Sequence, residues 1–196
     1  MREWKECKLG ELIKNGEAFL QTGPFGTMLS ASEYVFNGTP VIAVQDIGDN
    51  KLVYHKFVYV SDIVASRLSR YRVKENDIIF GRKGAVERRA LINKNEEGWI
   101  QGSDCIRLRF TESVYPQFIS YQFGSKTYKE WMAQNSTGAT MPSLNQDVLK
   151  QLPVRLPIFS EQKAIAQVLS SLDDKIDLLH RQNATLEALA ETLFRQ

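Results

Sequence analysis

Histidine and cysteine are scarce in this chain, which has two of each among its 196 residues. A histidine-based catalytic triad or a metal cluster of histidine and cysteine therefore has little material. Cys7 and Cys105 are far apart and lie in no metal-ligand spacing, so they predict no disulfide framework and no zinc site. Two isolated thiols fit a reducing cytoplasm. No apolar run is long enough to cross a membrane, and the first four residues do not begin a signal peptide.

Motifs for catalysis are missing as well. The sequence has no Gly-x-Ser-x-Gly elbow, no Walker loop and no His-Glu-x-x-His. The carboxylates in Glu161-Gln162-Lys163 and Asp173-Asp174-Lys175 imitate part of a Mg²⁺ nuclease site, but charges in a periodic helix normally face solvent. The sequence therefore predicts a chain that is not an enzyme. A Mg²⁺-dependent nuclease that uses Glu161 or Asp174 is the weaker alternative.

The most regular feature is an apolar seam in residues 160–196. Its members recur with alternating gaps of four and three residues, which is the a/d pattern of a coiled coil. No proline or glycine interrupts the stretch, and Ser160 followed by Glu161 indicates a helix start. Such a helix would be about 55 Å long, more than a domain of this size covers alone, so it needs a partner helix. The seam consists of Ile165, Leu169, Leu172, Ile176, Leu179, Asn183, Leu186, Ala190 and Leu193.

Short apolar runs separated by turn residues precede this helix. They predict an α+β fold, with a mixed, curved β-sheet and short helices in residues 1–154 and the long helix in residues 155–196. Ser143 with Gln146 predicts a capping box at the start of one short helix. Strands are expected at 41–47, 52–60, 78–80, 86–92 and 105–110, and helices at 61–69 and from Pro116 to about 135 with a possible break at Gly124-Ser125.

Charge is nearly balanced over the whole chain but is distributed unevenly. Basic side chains dominate residues 67–94, whereas the C-terminal helix leans acidic. This distribution suggests one face for a polyanion and another for a protein. Solvated strands with basic edges explain the charge equally well.

The stretch from Gly138 onward carries a family resemblance. It reads GATMPSLNQDVLKQLPVRLP and then EQKAIAQVLSSLDDKIDLLHRQNATLEALAETLFRQ. This resembles the DNA-specificity (S) subunit of type I restriction-modification systems. In that family a Pro-Ser-Leu-Asn stretch, an extended Leu-Pro segment and a Glu-Gln lead into a long spacer helix. Residues 23–26, 38–42 and 77–84 are similar to further family landmarks. Residues 158–160 depart from the proline-rich step that is usual there.

The resemblance implies a subunit that reads duplex DNA and leaves catalysis to others. No cofactor is expected in this chain. S-adenosylmethionine, ATP and Mg²⁺ are expected on partner modification (methyltransferase) and restriction subunits. A full S subunit has two recognition domains separated by two antiparallel helices, so this chain is expected to be a dimerising half-subunit or the N-terminal half of a longer one. Asn183 at an a position would instead favour parallel pairing; we expect the antiparallel arrangement.

Candidate DNA contacts are drawn from the basic run and from the stretch before the Pro-Ser-Leu-Asn motif. Arginine can read guanine bidentately and glutamine can read adenine, whereas other basic side chains hold phosphates. Which candidate reads bases and which one anchors the backbone stays open. The competing hypothesis is a coiled-coil adaptor whose head binds protein. The candidates are Arg67, Arg70, Arg72, Arg82, Lys83, Arg88, Arg89, Gln134 and Thr140.

Overall fold

The computed structural model describes residues 4–138 and 141–195. Among its described helices, none is long and apolar enough to cross a membrane. In chain order the elements are β1 (Lys5–Lys8), α1 (Leu9–Lys14), β2 (Ala18–Thr22), β3 (Tyr34–Val35), β4 (Thr39–Ile42), β5 (Asp49–Asn50), β6 (Val58–Val60), α2 (Asp62–Arg67), β7 (Ile78–Gly81), β8 (Arg89–Leu91), β9 (Ile100–Gln101), β10 (Cys105–Phe110), α3 (Pro116–Gly124), α4 (Lys126–Asn135), α5 (Gln146–Lys150), β11 (Pro153–Leu156) and α6 (Phe159–Phe194).

Three sheets form the head of the molecule. The largest has the strand order β2-β10-β7-β8-β5, the second has the order β3-β6-β4-β9, and β1 pairs with β11 alone. Most pairs are antiparallel, but β4 with β9 and β5 with β8 are parallel. The predicted mixed α+β architecture with one long C-terminal helix is thus confirmed.

Strand alternation assigns residues to the two faces of the five-stranded sheet. Ile78 and Phe80 of β7 belong to the main core beneath α1, α3 and α5, whereas Ile79 between them belongs to a second core on the opposite face. Successive side chains in a strand point to opposite faces, so the two cores cover the two faces of the sheet at β7. Every residue of this strand is therefore buried. In β8, Ala90 lies in the second core, so Arg89 and Leu91 are directed to the face that α3 covers.

The first half of α6 belongs to the head. Gln162 is buried, where its amide oxygen accepts from the Tyr115 amide at 2.9 Å and its amide nitrogen donates to the Pro157 carbonyl at 2.9 Å. Further along, the Tyr121 hydroxyl donates to the Asp173 carboxylate at 2.8 Å and Lys51 Nζ donates to Asp177 at 2.7 Å. From Leu178 onward, every described residue of the helix is exposed.

The predicted seam divides between these two halves. Ile165 packs against the main core and Leu169 is half-buried, so the start of the seam is covered by the head itself. Leu172, Ile176 and every later seam residue are exposed. The helix also begins at Phe159 with Ile158 as its N-cap, so the prediction of Ser160 as the cap was wrong.

Several predicted boundaries were wrong for local reasons. The strand expected to run to Ile47 ends at Ile42, because the Asp46 carboxylate accepts from the Ala43 amide at 2.7 Å and closes a 3-10 turn. Of residues 52–60 only Val58–Val60 is a strand. The cap of α5 is Asn145, whose side chain accepts from Val148 at 2.8 Å.

Three further differences concern a helix cap, the end of the head and one additional strand. Gln146, expected in a capping box with Ser143, instead donates from Nε2 to the Thr22 hydroxyl at 2.9 Å. The domain boundary expected after Val154 falls inside β11, where Arg155 and Leu156 still pair with β1. The head therefore extends to the end of that strand, and residues 18–22 form a strand that the sequence pattern did not indicate.

Candidate nucleic-acid interface

Residues 81–84, which we call the basic loop, are braced from two sides. The Arg82 amide donates to the Asp104 carbonyl at 2.8 Å, and the Arg82 carbonyl accepts from the Leu144 amide at 2.8 Å. The Gly84 amide donates to the Pro142 carbonyl at 2.9 Å, and Gly84 has φ +78, a conformation that glycine adopts without strain. The Pro-Ser-Leu-Asn stretch thus supports the loop that presents Arg82 and Lys83.

A surface cleft lies between the basic loop and the four-stranded sheet. Lys83, Arg88 and Tyr34 are among the residues that line it. Lys83 Nζ lies 3.4 Å from the Asp104 carboxylate, an exposed pair that leaves the ammonium accessible. Arg88 is exposed, and its guanidinium makes no hydrogen bond or ion pair with another residue in the part of the chain that the structure describes. The cleft therefore offers two cations to a ligand.

An exposed apolar segment, residues 25–36, borders this cleft. The Arg82 guanidinium carbon lies 4.7 Å from the centre of the Phe25 ring, a cation–π contact that orients the arginine. Close backbone approach fixes the start of the segment, because a Cβ on Gly23 would lie 1.8 Å from the Gly102 carbonyl oxygen. The large apolar side chains exposed in the segment are Phe25, Met28, Tyr34, Val35 and Phe36.

Arg67 ties this segment to α2. Its Nη2 donates to the Met28 carbonyl at 3.1 Å and to the Glu33 carboxylate at 2.6 Å. A hydrogen bond from the Ser30 amide, followed by the one from Arg67, lowers the pKa of Glu33. Burial raises the pKa of the Tyr34 hydroxyl. Arg67 is therefore engaged in positioning the segment.

Arg89 was proposed from the sequence as a surface contact, and the structure places it in the interior. Its side chain is 3% exposed, and it donates from Nε to the Ser120 carbonyl at 2.7 Å and from Nη1 to Asp49. Burial lowers the pKa of Arg89, although Asp49 partly opposes this. A duplex outside the protein has no path to this guanidinium. Arg89 is thus removed from the set of candidate contacts.

The remaining candidates lie away from the cleft. Arg72 donates from Nη1 to the Gly98 carbonyl at 2.7 Å, and Arg70 lies beside the ring of Tyr71. Gln134 is exposed on α4, in a different groove that Trp4 and Trp131 also line. Thr140 lies outside the described residues. The structure therefore brings Lys83 and Arg88 together at the cleft. Arg82 contacts Phe25 of the apolar segment, and Arg67 holds Met28 and Glu33 of the same segment.

The sequence pattern marked residues 23–26 only as similar to a family landmark and did not indicate an exposed apolar segment. Residues 25–36 have no strand or helix period, so nothing in their pattern distinguishes them from an ordinary loop. The available signal was compositional: aromatic residues stand beside glycine at Phe25-Gly26 and just before Asn37-Gly38. Exposed aromatics next to turn residues, close in space to a basic loop, are typical of nucleic-acid surfaces.

One of the α6 carboxylates that imitate a nuclease site, Asp173, is engaged by the head. Asp173 accepts from Tyr121, and Asp177 accepts from Lys51. In residues 4–138 and 141–195, no three side chains of the metal-ligating types His, Cys, Asp and Glu come together in a group. Asp173 and Asp177 thus hold the helix against the head.

A basic, aromatic-lined head on a long helix with an exposed apolar seam defines a binding module of two parts. Residues 1–188 match the family model described as the type I restriction modification DNA specificity domain, and the chain belongs to this family. The resemblance inferred from the sequence is confirmed.

Relatives of the same family are similar over almost the whole chain. The type I restriction enzyme HindI specificity subunit of Haemophilus influenzae is 24% identical over 202 residues, which cover 100% of this chain and 40% of the relative. The MjaVIII specificity subunit of Methanocaldococcus jannaschii is 22% identical over 194 residues, which cover 94% of this chain and 43% of the relative. The chain thus spans about two fifths of the length of the curated relatives it matches.

The fold is shared with solved structures. The crystal structure of the HsdS subunit from Thermoanaerobacter tengcongensis superposes with a TM-score of 0.64 at 17% identity, covering 92% of this chain and 40% of that one. A structure of a type I restriction-modification system gives a TM-score of 0.69 at 19% identity and covers 98% of this chain and 44% of that one. The TM-scores establish a common fold, and at identities this low they establish nothing further.

Proposed function

We propose that this chain reads one part of a DNA target as the specificity component of a type I restriction-modification complex. The observation that carries the proposal is the cleft that Lys83 and Arg88 line, beside the basic loop that the Pro-Ser-Leu-Asn stretch holds in place. Phosphate contacts from these side chains would fix the register of the head, and base edges would be read from the same surface.

In this proposal catalysis belongs to partner subunits. Modification (methyltransferase) subunits would bind S-adenosylmethionine and methylate adenine, and a restriction subunit would use ATP and Mg²⁺ to cleave. The chain itself would contribute recognition alone. The relatives, which carry the name of specificity subunits of type I restriction enzymes, support this division.

A selection from random-sequence duplexes tests DNA reading directly. The chain is incubated with the pool and the retained duplexes are sequenced over several rounds. We expect enrichment of one short motif, and we expect the variant with Arg82, Lys83 and Arg88 all replaced by alanine to lose it. Retention without any enriched motif would leave a non-specific binder, and no retention would contradict DNA reading.

We also propose that the exposed part of the seam pairs with a second helix, from another copy or from a second half of a longer subunit. Leu172, Leu179 and Leu186 are exposed, and an apolar stripe at this spacing packs against a partner helix. An antiparallel pair would place two heads at opposite ends, as a split target requires. In that arrangement Asn183 would face d-type residues and take its hydrogen bonds from water or from neighbouring polar side chains.

Sedimentation of the chain tests the seam. Replacing Leu186, a d residue, with glutamate should weaken self-association by about a hundredfold, because a charge would be buried in the apolar interface. Ala188→Glu at the outward f position is the matched control and should leave association unchanged. A chain that is monomeric at every concentration would instead require that the second helix come from a different polypeptide.

A further inference from the structure

Phe36 is the most exposed of the large apolar side chains in the part of the chain that the structure describes, at 95% of its surface. It stands in the turn between β3 and β4. A side chain that buries almost nothing contributes almost nothing to folded stability. Because single exposed apolar residues are ordinary on protein surfaces, the surroundings of Phe36 decide whether it has a function.

The surroundings of Phe36 are those of the cleft. Tyr34, two residues earlier, lines the cleft together with Lys83 and Arg88. Phe36 follows directly after β3, so its backbone lies within two residues of the cleft lining. Val35 between them is exposed as well. An apolar tip thus borders a cationic cleft.

The backbone that carries Phe36 is fixed before any ligand binds. Gly38 has φ +148, and a Cβ there would lie 2.2 Å from the Val60 carbonyl oxygen, so the turn is pressed against β6. Tyr34 and Val35 pair with β6 in register. On the preceding side, Arg67 holds Glu33. A preordered segment loses little conformational entropy on binding, which favours a role in recognition.

We propose that Phe36 acts as a wedge that inserts between stacked base pairs of bound duplex DNA while Lys83 and Arg88 hold nearby phosphates. The inference rests on the proposed function and adds to it a deformation of the DNA. Apolar side chains flanked by cations are the means by which proteins unstack a base step, and the cost of unstacking depends on the sequence that is unstacked. Phe36 would therefore contribute to specificity without a hydrogen bond to any base.

A protein partner fits this surface less well. The centres of protein–protein interfaces are depleted in lysine, although arginine and aromatic residues are enriched there. Here Lys83 and Arg88 stand at the cleft beside the aromatic tip, and Arg82 stacks on Phe25 of the same segment. Clustered cations with exposed aromatics match a polyanion that also has planar, stackable groups.

Base-step fluorescence tests the wedge. The probe is a duplex enriched from a random pool by this chain, with 2-aminopurine placed at each position in turn. The chain is used alone, so extrusion of a base by a methyltransferase makes no contribution. We expect a fluorescence increase at one step. Phe36→Ala should abolish this increase and weaken binding about tenfold, the usual range for a lost stacking contact, without changing the salt dependence.

Two matched variants complete the experiment. Ile63 is 84% exposed on α2, so Ile63→Ala removes an equally exposed apolar side chain and should leave both signals unchanged. Phe36→Trp, which keeps an aromatic ring, should retain the fluorescence increase.

The outcomes separate the wedge from the proposed function. Binding and fluorescence of Phe36→Ala that equal those of the unchanged chain would overturn the wedge and leave DNA reading intact. Failure of the unchanged chain to enrich or bind any duplex would overturn both. Loss of self-association in Phe36→Ala, with DNA binding retained, would identify the tip as a protein contact and overturn the wedge.

Discussion

Arg88 and Arg89 are neighbours in the sequence and occupy opposite environments. Arg88 is exposed at the cleft, whereas Arg89 is buried beneath α3 and bonded to Ser120 and Asp49. The alternation of β8 explains the difference, because Ala90 lies in the second core and turns Arg89 to the face that α3 covers. One basic run in the sequence thus contains two populations, one that stabilises the fold and one that is accessible to a polyanion.

Other arginines belong to the buried population. On β10, Arg107 and Arg109 alternate with the core residues Ile106 and Leu108, and Arg109 makes two hydrogen bonds of 2.6 Å to the buried Asp77. These hydrogen bonds stabilise the charged forms of both Arg109 and Asp77. Counting basic residues would therefore overestimate the charge that this face offers to DNA.

The largest expected effect is a loss of folding stability when a buried arginine loses its acidic partner. Asp49→Ala leaves the Arg89 guanidinium with the Ser120 carbonyl as its remaining acceptor. We expect the free energy of unfolding to fall by about 2 kcal/mol, less than the roughly 3–5 kcal/mol of a fully buried pair, because Asp49 is more than half exposed. Urea denaturation measures this loss.

The control for that variant is Asp147→Ala. Asp147 pairs with Lys150 one turn away on the surface of α5, and such pairs contribute less than about 1 kcal/mol. Equal losses in the two variants would show that Arg89 does not depend on Asp49. The salt dependence of DNA binding should be unchanged in both, since neither belongs to the cleft.

Arg67 lies between the two populations, because it is partly exposed but engaged with Met28 and Glu33. Arg67→Ala should loosen the apolar segment, so affinity for the enriched duplex should fall about threefold because the segment must then be ordered on binding. The slope of affinity against salt should stay constant. A slope lower by about one unit would instead mean that Arg67 touches a phosphate directly.

A smaller effect concerns pH. Burial raises the pKa of Asp49, but the hydrogen bonds and charges of Lys129 and Arg89 outweigh it, so the pKa is lower than in the unfolded chain. The stabilisation is therefore fully present above the unfolded value, about 3.9, and is lost as the pH falls through the folded value.

The comparison for this pH effect is Asp49→Asn, which cannot titrate. We expect the difference in the free energy of unfolding between the unchanged chain and this variant to be constant near neutrality and to shrink below about pH 4. Denaturation curves at a series of pH values measure it. A difference that grows on acidification would contradict the assigned direction.

The elements predicted well from the sequence were those with strong local signals. The alternation of Cys105–Phe110, the Gly124-Ser125 break between α3 and α4 and the heptads of α6 each determine their structure from nearby residues. The turn at Ala43–Asp46 was missed because a single carboxylate, Asp46, ends the strand. Arg89 was misplaced because a strand of three residues gives no sign of which face another element covers.

The most direct test of the central claim is the salt dependence of duplex binding by the unchanged chain and by Arg88→Ala. Lys126→Ala, which removes an exposed cation on α4 away from the cleft, is the control and should match the unchanged chain. If Arg88 holds a phosphate, the slope should fall by about one unit, and affinity near 0.15 M salt should fall about fivefold. An unchanged slope and affinity for Arg88→Ala would contradict the assignment of this cleft to DNA.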